Sequence, residues 1–556
     1  MATKDSAAIG NPPMNPSNDN AATGDNARQP LSPKRFWVLS VGICLGLFLS
    51  MIDSSIVATS LYTIGTDLDS LSSINWVALA YTLAYLGCAV AFARASDVVG
   101  RRDAFIVAYI LFFAFSLACG FAKNLTQLIA FRSLQGLGGS GLYSLTMIIL
   151  PEACPDHMMQ HVGALIGMVI AGSGVFGPVL GGILTQYANW RWIFWINGPI
   201  GFVSLAIFIF SWPSKKGTGS TRHSWRKFDF VGTILVMAAA ILVVFAFQNA
   251  GESSSSIWSS ATFIAPIVVG CLCWTFVVGW GAVLQSSSWG QTIAPAFPLQ
   301  LFSNRYYAAG SLSTLLLGFP FLLIVFSFPT RAQVVSEKSA LLSGLMLLPM
   351  LGTTAIGSAV GGKLNSTKNY LFETLATGAS LMTIGCGLLT LVGGSEDDPK
   401  ALGFLTFCGL GFGLSTSAAT MLVTVEAPLF NSAAAHGILA QMRILGGSLG
   451  ISASTVLLRE ELRKHLSNAG RDNAKAVGSS MKTSIMDVTS PEVRLAYTEA
   501  FHKGMIIATA IAGASMLVTL MGYRRVRQDM LEQRRMLAHQ EKLRRTEAME
   551  MTHGLA

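Results

Sequence analysis

The chain has 556 residues, of which 52% are hydrophobic and only 12% charged. A soluble domain carries about 25% charged residues, so this chain lacks the side chains to cover itself with a water-facing surface. Its net charge of +9 does not point to nucleic acid, because Lys and Arg gather at the ends of apolar runs and in the C-terminal tail, where orientation signals sit.

Residues 1–34 are polar, rich in Asn, Pro, Asp and Ala, and expected to be disordered and cytosolic. Fourteen apolar runs follow; a helix of that length rises about 30 Å, the thickness of the hydrocarbon core. Six fall at 36–58, 74–94, 103–122, 126–150, 161–186 and 192–212. No short apolar core with a small-residue cleavage site precedes the first, which is expected to be a retained span. A basic linker at 214–227 leads to two runs at 228–248 and 261–284. Six more lie at 305–327, 341–361, 371–392, 401–423, 433–457 and 503–523. Residues 458–502 are expected as an outward loop that starts helix-like from Arg459 to His465. The fold class expected is an all-α polytopic membrane protein. It divides into a six-helix bundle (35–213), an inserted pair (228–284), a second six-helix bundle (305–523) and a basic cytosolic tail (524–556).

The positive-inside rule sets orientation. Arg94, Arg101, Arg102, the basic linker, Lys363, Lys368, Arg524, Arg525 and Arg527 share one face if both termini are cytosolic. Asp67, Asp69 and Glu396 to Asp398 then share the other. The eight cysteines lie in or at the ends of apolar runs without a Cys-x-x-Cys pair. They read as small buried hydrophobes, and no metal, cofactor or catalytic residue set is expected. No Gly-x-x-x-x-Gly-Lys loop occurs, so ATP is not expected to drive the protein.

Polar chemistry enters the spans at a few places. Asp53, in Met51-Ile52-Asp53-Ser54-Ser55-Ile56-Val57, places a carboxyl in apolar surroundings. The loop after span 2 reads Ala93-Arg94-Ala95-Ser96-Asp97-Val98-Val99-Gly100-Arg101-Arg102. Gly100 there supplies the freedom a tight turn needs, and Asp97 beside a helix end can pair with arginines. Span 4 contains Arg132-Ser133-Leu134-Gln135-Gly136-Leu137-Gly138. A guanidinium in a span is costly unless paired or facing water, so Arg132 is expected to face a cavity, with Gln135 one turn on and Asp53 its natural partner. Span 5 carries Gly177-Pro178-Val179-Leu180-Gly181-Gly182, residues that let a helix bend and pack closely. Span 13 echoes it with Gly446-Gly447-Ser448-Leu449-Gly450 and presents His436, Gln441 and Arg443. His436 and Arg443 are seven apart and share a face, which suggests a cavity or a cytosolic mouth.

These stretches resemble the major facilitator superfamily and, within it, the fourteen-span drug–proton antiporters, especially fungal toxin and secondary-metabolite exporters. The similarity covers roughly residues 36–525. By this resemblance Asp97, Gly100, Arg101 and Arg102 form a conformational latch, although Ala93, Ala95 and Val98 depart from the family's loop. Arg132-x-x-Gln135-Gly136-x-Gly138 is similar to the family's span-4 motif, which implies proton coupling through Arg132 with Asp53. Gly177, Pro178, Gly181 and Gly182 resemble the motif of antiporters rather than uptake carriers. Gln135, Gln441, Arg443 and His436 are the candidates for the substrate cavity. Trp190 to Gly201 is similar to the group's span-6 motif, and its aromatics with Arg191 read as an interfacial anchor.

The function expected is therefore a proton-coupled antiporter exporting small hydrophobic compounds such as toxins, drugs or secondary metabolites by alternating access. It is not expected to be an enzyme. Its partners are a small-molecule substrate, protons and the lipid bilayer, without nucleic acid, and it is expected as a monomer. The plasma membrane is the expected location, with a vacuolar or other internal membrane as the alternative. Two other readings stay open: an uptake carrier for a siderophore or nutrient, and a non-transporting membrane sensor or scaffold. The basic tail, with Met530, Leu531, Met536, Leu537 and Leu543, reads either as lying on an anionic membrane surface or as a solvated extension.

Overall fold

The computed structural model describes residues 32–57, 60–68, 75–155, 158, 160–213, 225–249, 260–287, 293–366, 368–428, 431–468, 491–523 and 536. The N-terminal segment expected to be disordered, most of the basic linker and nearly all of the basic tail lie outside the described residues.

The described residues are nearly all helical and hold no strand. In chain order come α1 (Pro33–Ile56), α2 (Leu61–Asp67), α3 (Asn75–Val99), α4 (Arg101–Gly120), α5 (Leu125–Ala153), α6 (Gln160–Tyr187), α7 (Trp192–Trp195) and α8 (Asn197–Ser211). The inserted pair is α9 (Phe230–Asn249) and α10 (Ala261–Ser286). Then follow α11 (Leu299–Ser303), α12 (Arg305–Val334), α13 (Ala340–Leu345), α14 (Leu348–Leu364), α15 (Leu371–Leu389), α16 (Asp398–Glu426), α17 (Ser432–Asn468) and α18 (Pro491–Leu520).

Among the described residues, 12 segments are long and apolar enough to cross a membrane. The other two expected spans coincide with α5 and α17, helices of 29 and 37 residues. Their composition is less apolar for a physical reason: every α5 residue from Gly138 to Pro151 is buried against protein, so small and polar residues stand where a lipid-facing helix needs hydrophobes. Arg459 to His465, expected to start helix-like, continue α17, which runs on to Asn468, and residues 491–502, expected as loop, are helical, with α18 beginning at Pro491. Glu461 ties the two extensions together, accepting from Lys503 at 2.7 Å and Lys464 at 3.0 Å; residues 469–490 lie outside the described set. The sixth expected span runs from Trp192 to Ser211, with the backbone staying helical at Ile196 between α7 and α8.

Two main apolar cores lie in the two halves. The first surrounds Phe105, Tyr109, Phe112 and Phe208; the second surrounds Phe321, Phe412, Met382 and Phe328. Phe412 stacks on Phe321 with centroids 3.7 Å apart, so it packs rather than lines an open space. Lipid is as apolar as leucine, so close backbone approach holds such helices more than area burial does. A Cβ on Gly409 of α16 would sit 1.9 Å from the Met350 carbonyl oxygen of α14, and one on Gly446 of α17 would sit 1.9 Å from that of Leu315 of α12. Helix α16 is central, with 89% of its apolar window buried, whereas α10 is peripheral at 11%.

The inserted pair is fastened at one end of the molecule. Asp229 accepts from the backbone N–H groups of Gly232 (2.8 Å) and Ala296 (2.9 Å) and from Trp280 Nε1 (3.0 Å). Arg94 of α3 donates to the Pro295 carbonyl. Along its length α9 fills the groove between α3 and α17, where Ala240 and Val244 cluster with Leu86 and Leu445.

Candidate functional site

Asp53 lies one turn from the end of α1 and is fully buried; Arg132, 1% exposed, reaches it from α5. Nη1 of Arg132 donates to Asp53 Oδ2 and to Gln135 Oε1 (2.8 Å), while Nε donates to the Val77 carbonyl (3.2 Å). Gln135 Nε2 (3.0 Å) and Asn197 Nδ2 (3.2 Å) both donate to Asp53 Oδ1. The guanidinium carbon stands 4.1 Å from the centre of the Tyr81 ring. Close approach makes this meeting feasible, since a Cβ on Gly136 would lie 2.5 Å from the Tyr81 carbonyl oxygen. A buried ion pair persists only when the remaining donors and acceptors are also satisfied, and here Gln135 and Asn197 complete the set.

Of the residues expected to form a latch, Asp97 and Arg101 meet. Arg101 pairs with Asp97 (2.8 Å) and Glu152 (3.2 Å), and Arg94 pairs with Asp97 (3.3 Å). Gly100 adopts φ 103°, a conformation that side chains rarely take. Arg102 is exposed. His436 does not join Arg443. It is buried where the adjacent Gly437 approaches Ala93 of α3, and the charges that bear on it are Glu152 and Arg101 of the latch. Gln135, expected in a substrate cavity, belongs instead to the Asp53 cluster.

Gly177, Gly181 and Gly182 lie on α6, which continues through Pro178. A Cβ on Gly177 would fall 1.9 Å from Ser55 Oγ of α1, while one on Gly182 would meet nothing within 4 Å. Gln441 and Arg443 are both buried; Arg443 Nη1 lies 3.4 Å from Tyr143 Oη.

At the end opposite the latch, Arg191 Nη1 (2.9 Å) and Trp190 Nε1 (3.0 Å) donate to Asp67 Oδ2, fixing the expected aromatic anchor. The Arg191 bond, then the Trp190 bond, holds the Asp67 carboxyl below its ordinary value. A depressed folded value means the clamp is complete above the unfolded carboxylate range, about pH 4, and is lost as pH falls through the lower folded value. Thermal melts of wild type and Asp67→Asn should therefore differ modestly at neutral pH, given the exposure of the pair, and converge in strong acid. A gap that widens on acidification contradicts this assignment.

Asn197, Glu152 and Tyr81 are absent from the residues expected from sequence. The signal available for Asn197 was an amide amid the apolar Trp192-Ile193-Phe194-Trp195-Ile196 stretch. Glu152 and Tyr81 carry no such mark.

A charge pair sealed inside the first of two sets of apolar helices long enough to span a membrane fits a membrane transporter rather than an enzyme. The family model described as Major Facilitator Superfamily matches residues 43–451, and the chain belongs to that superfamily. Similar proteins include the MFS-type transporter FPY5 of Fusarium mangiferae, 30% identical over 87% of this chain and 83% of the relative. Efflux pump FUS6 of Gibberella fujikuroi is 31% identical over 82% of this chain and 79% of its own length. The aspyridones efflux protein of Neocamarosporium betae is 28% identical over 86% and 85%. Among solved structures, an inward-facing bacterial homolog of the lysosomal transporter Spinster superposes with TM-score 0.54 at 14% identity, covering 89% of this chain and all of that one. The proton:xylose symporter XylE gives TM-score 0.52 at 11% identity, covering 86% and 95%.

Proposed function

We propose that this chain is a proton-coupled antiporter that exports small hydrophobic compounds by alternating access. The observation that carries the reading is the buried Asp53–Arg132 pair with Gln135 and Asn197 around it. A carboxyl in apolar surroundings favours its neutral form, and a neighbouring guanidinium favours the charged form. Moving Arg132 toward or away from Asp53 therefore releases or captures a proton. Each proton crossing 100 mV makes about 2.3 kcal/mol available. The segments 35–213 and 305–523 are the rocking halves of this reading, with 214–227 as linker, both termini cytosolic, the plasma membrane as location and a monomer as working unit. Asp97, Gly100, Arg101 and Arg102 act as the latch between states. Export rather than uptake is supported by the relatives named efflux pumps and by the Gly177–Gly182 stretch.

The test uses cells lacking their main efflux pumps. Expression should lower retention of some members of a panel of lipophilic toxins, and a protonophore or Asp53→Asn should restore it. Raised retention would turn the reading to uptake. Unchanged retention across the panel, with protein at the surface, would remove export of such compounds.

A further inference from the structure

Among the described residues, buried charges are matched with one exception. Asp53 is met by Arg132, Asp398 by Arg331, Glu461 by Lys503 and Arg94 by Asp97. Asp229 is met by three N–H groups. Arg443 of α17 is 6% exposed, and only its Nη1 finds a partner, the hydroxyl of Tyr143 on α5. Its Nε and Nη2 have none among the described residues, and no carboxylate there stands within ion-pair reach. A guanidinium left alone in a span is costly, so a position that keeps one points to a counter-charge supplied from outside the chain.

The free atoms also specify geometry. Nε and Nη2 form the side edge of the guanidinium, the two-donor fork that fits both oxygens of one carboxylate. Tyr143 in turn packs against Tyr85, ring centroids 5.9 Å apart, and both rings belong to the apolar cluster that takes in Met421 and Leu422 of α16. Arg443 of α17, in the second half, thus meets Tyr143 of α5, in the first, at the edge of a stack of aromatic rings. Tyr85 stacks in turn on Tyr81 (5.6 Å), the ring beneath Arg132. A ladder of three tyrosines therefore runs from the Asp53 pair to Arg443.

We propose that Arg443 anchors an acidic group on the transported compound, so that the cargo class is an apolar molecule carrying one carboxylate or a comparably acidic group. This names the substrate class of the transporter proposed above and rests on that reading. The tyrosine ladder places the anion subsite in packing contact with the proton site, so an anion seated at Arg443 bears on the rings that flank Arg132.

The full chain, purified into lipid nanodiscs at one pH and without a gradient, is titrated with a panel of aliphatic and aromatic lipophilic carboxylates. Each is run beside its own methyl ester, and binding is read by tryptophan quenching and thermal shift. At least one acid should bind about tenfold or more tighter than its ester, the scale of a hydrogen bond to a charged group. Arg443→Gln should bring the acid to the ester's affinity and leave the ester unchanged, which controls for folding. Arg443→Lys should retain part of the preference. A panel in which no acid surpasses its ester overturns the proposal, as does a preference that Arg443→Gln keeps. Because no gradient is present, the outcome separates from the export reading. Acids bound but never moved by a proton gradient would sink export and leave the anion site; esters driven outward without any acid preference would do the reverse.

Discussion

Asp53→Asn should abolish gradient-driven transport and also lower stability, by about 3–5 kcal/mol, the usual cost of leaving one partner of a buried pair uncompensated. Arg132 is then sealed in with an amide in place of its counter-charge, still facing Gln135 and the Val77 carbonyl. Arg132→Gln should destabilise comparably by stranding Asp53, whose oxygens would keep only Gln135 and Asn197. The double variant removes both charges at once and should recover much of the lost stability while remaining inactive, a non-additivity expected of groups in direct contact. Thermal unfolding of the four proteins, with transport in proteoliposomes, checks this. Full activity of Asp53→Asn would take Asp53 out of the coupling role, and additive losses in the double variant would show that the pair does not act as one unit.

Gly409→Ala should also damage the fold, through sterics alone. The new methyl would lie 1.9 Å from the Met350 carbonyl oxygen and 2.2 Å from Thr353 Oγ1, against a backbone that cannot rotate away. Separating α14 from α16 also disturbs Gly413, which faces the Thr354 carbonyl at 2.2 Å in the same sense. Overpacking of this kind costs about 1–3 kcal/mol, and in a bilayer no hydrophobic gain offsets it. Gly403 on the same helix is the control, because a Cβ there meets nothing within 4 Å. Gly403→Ala should be neutral or stabilising by up to about 1 kcal/mol through helix propensity. Monodisperse yield and melting temperature separate the two, and equal behaviour would refute the role given to this contact.

What could be read from the residues alone follows from which features carry an energetic penalty. Asp53, Arg132 and Gln135 were legible as a group because a charge in a span demands a partner, and few polar residues were available. Asn197 and the Tyr81 ring were not, since a neutral amide or a phenol is tolerated in many places and only the register of α3 and α8 against α1 and α5 brings them in. His436 shows the limit of helical spacing as an argument. Seven residues put it on the face of Arg443, but about 10 Å further along the axis, and there its neighbours are the latch charges. The apolar runs at 126–150 and 433–457 were legible as spans too, although α5 carries small and polar side chains where it is buried against protein.

The placement of α9 and α10 has a bearing on which surfaces of the two halves can face lipid. Here α9 is wedged between α3 and α17, with α10 outside it facing lipid, and the pair is clipped to α3 through Arg94 and Pro295. The seam between the halves on that flank is therefore covered by protein. On the opposite flank no helix pair intervenes among the described residues: α6 runs directly along α14 from the Gly167–Ser358 contact to the Gly174–Leu351 contact and reaches α13 at Val179–Gly344.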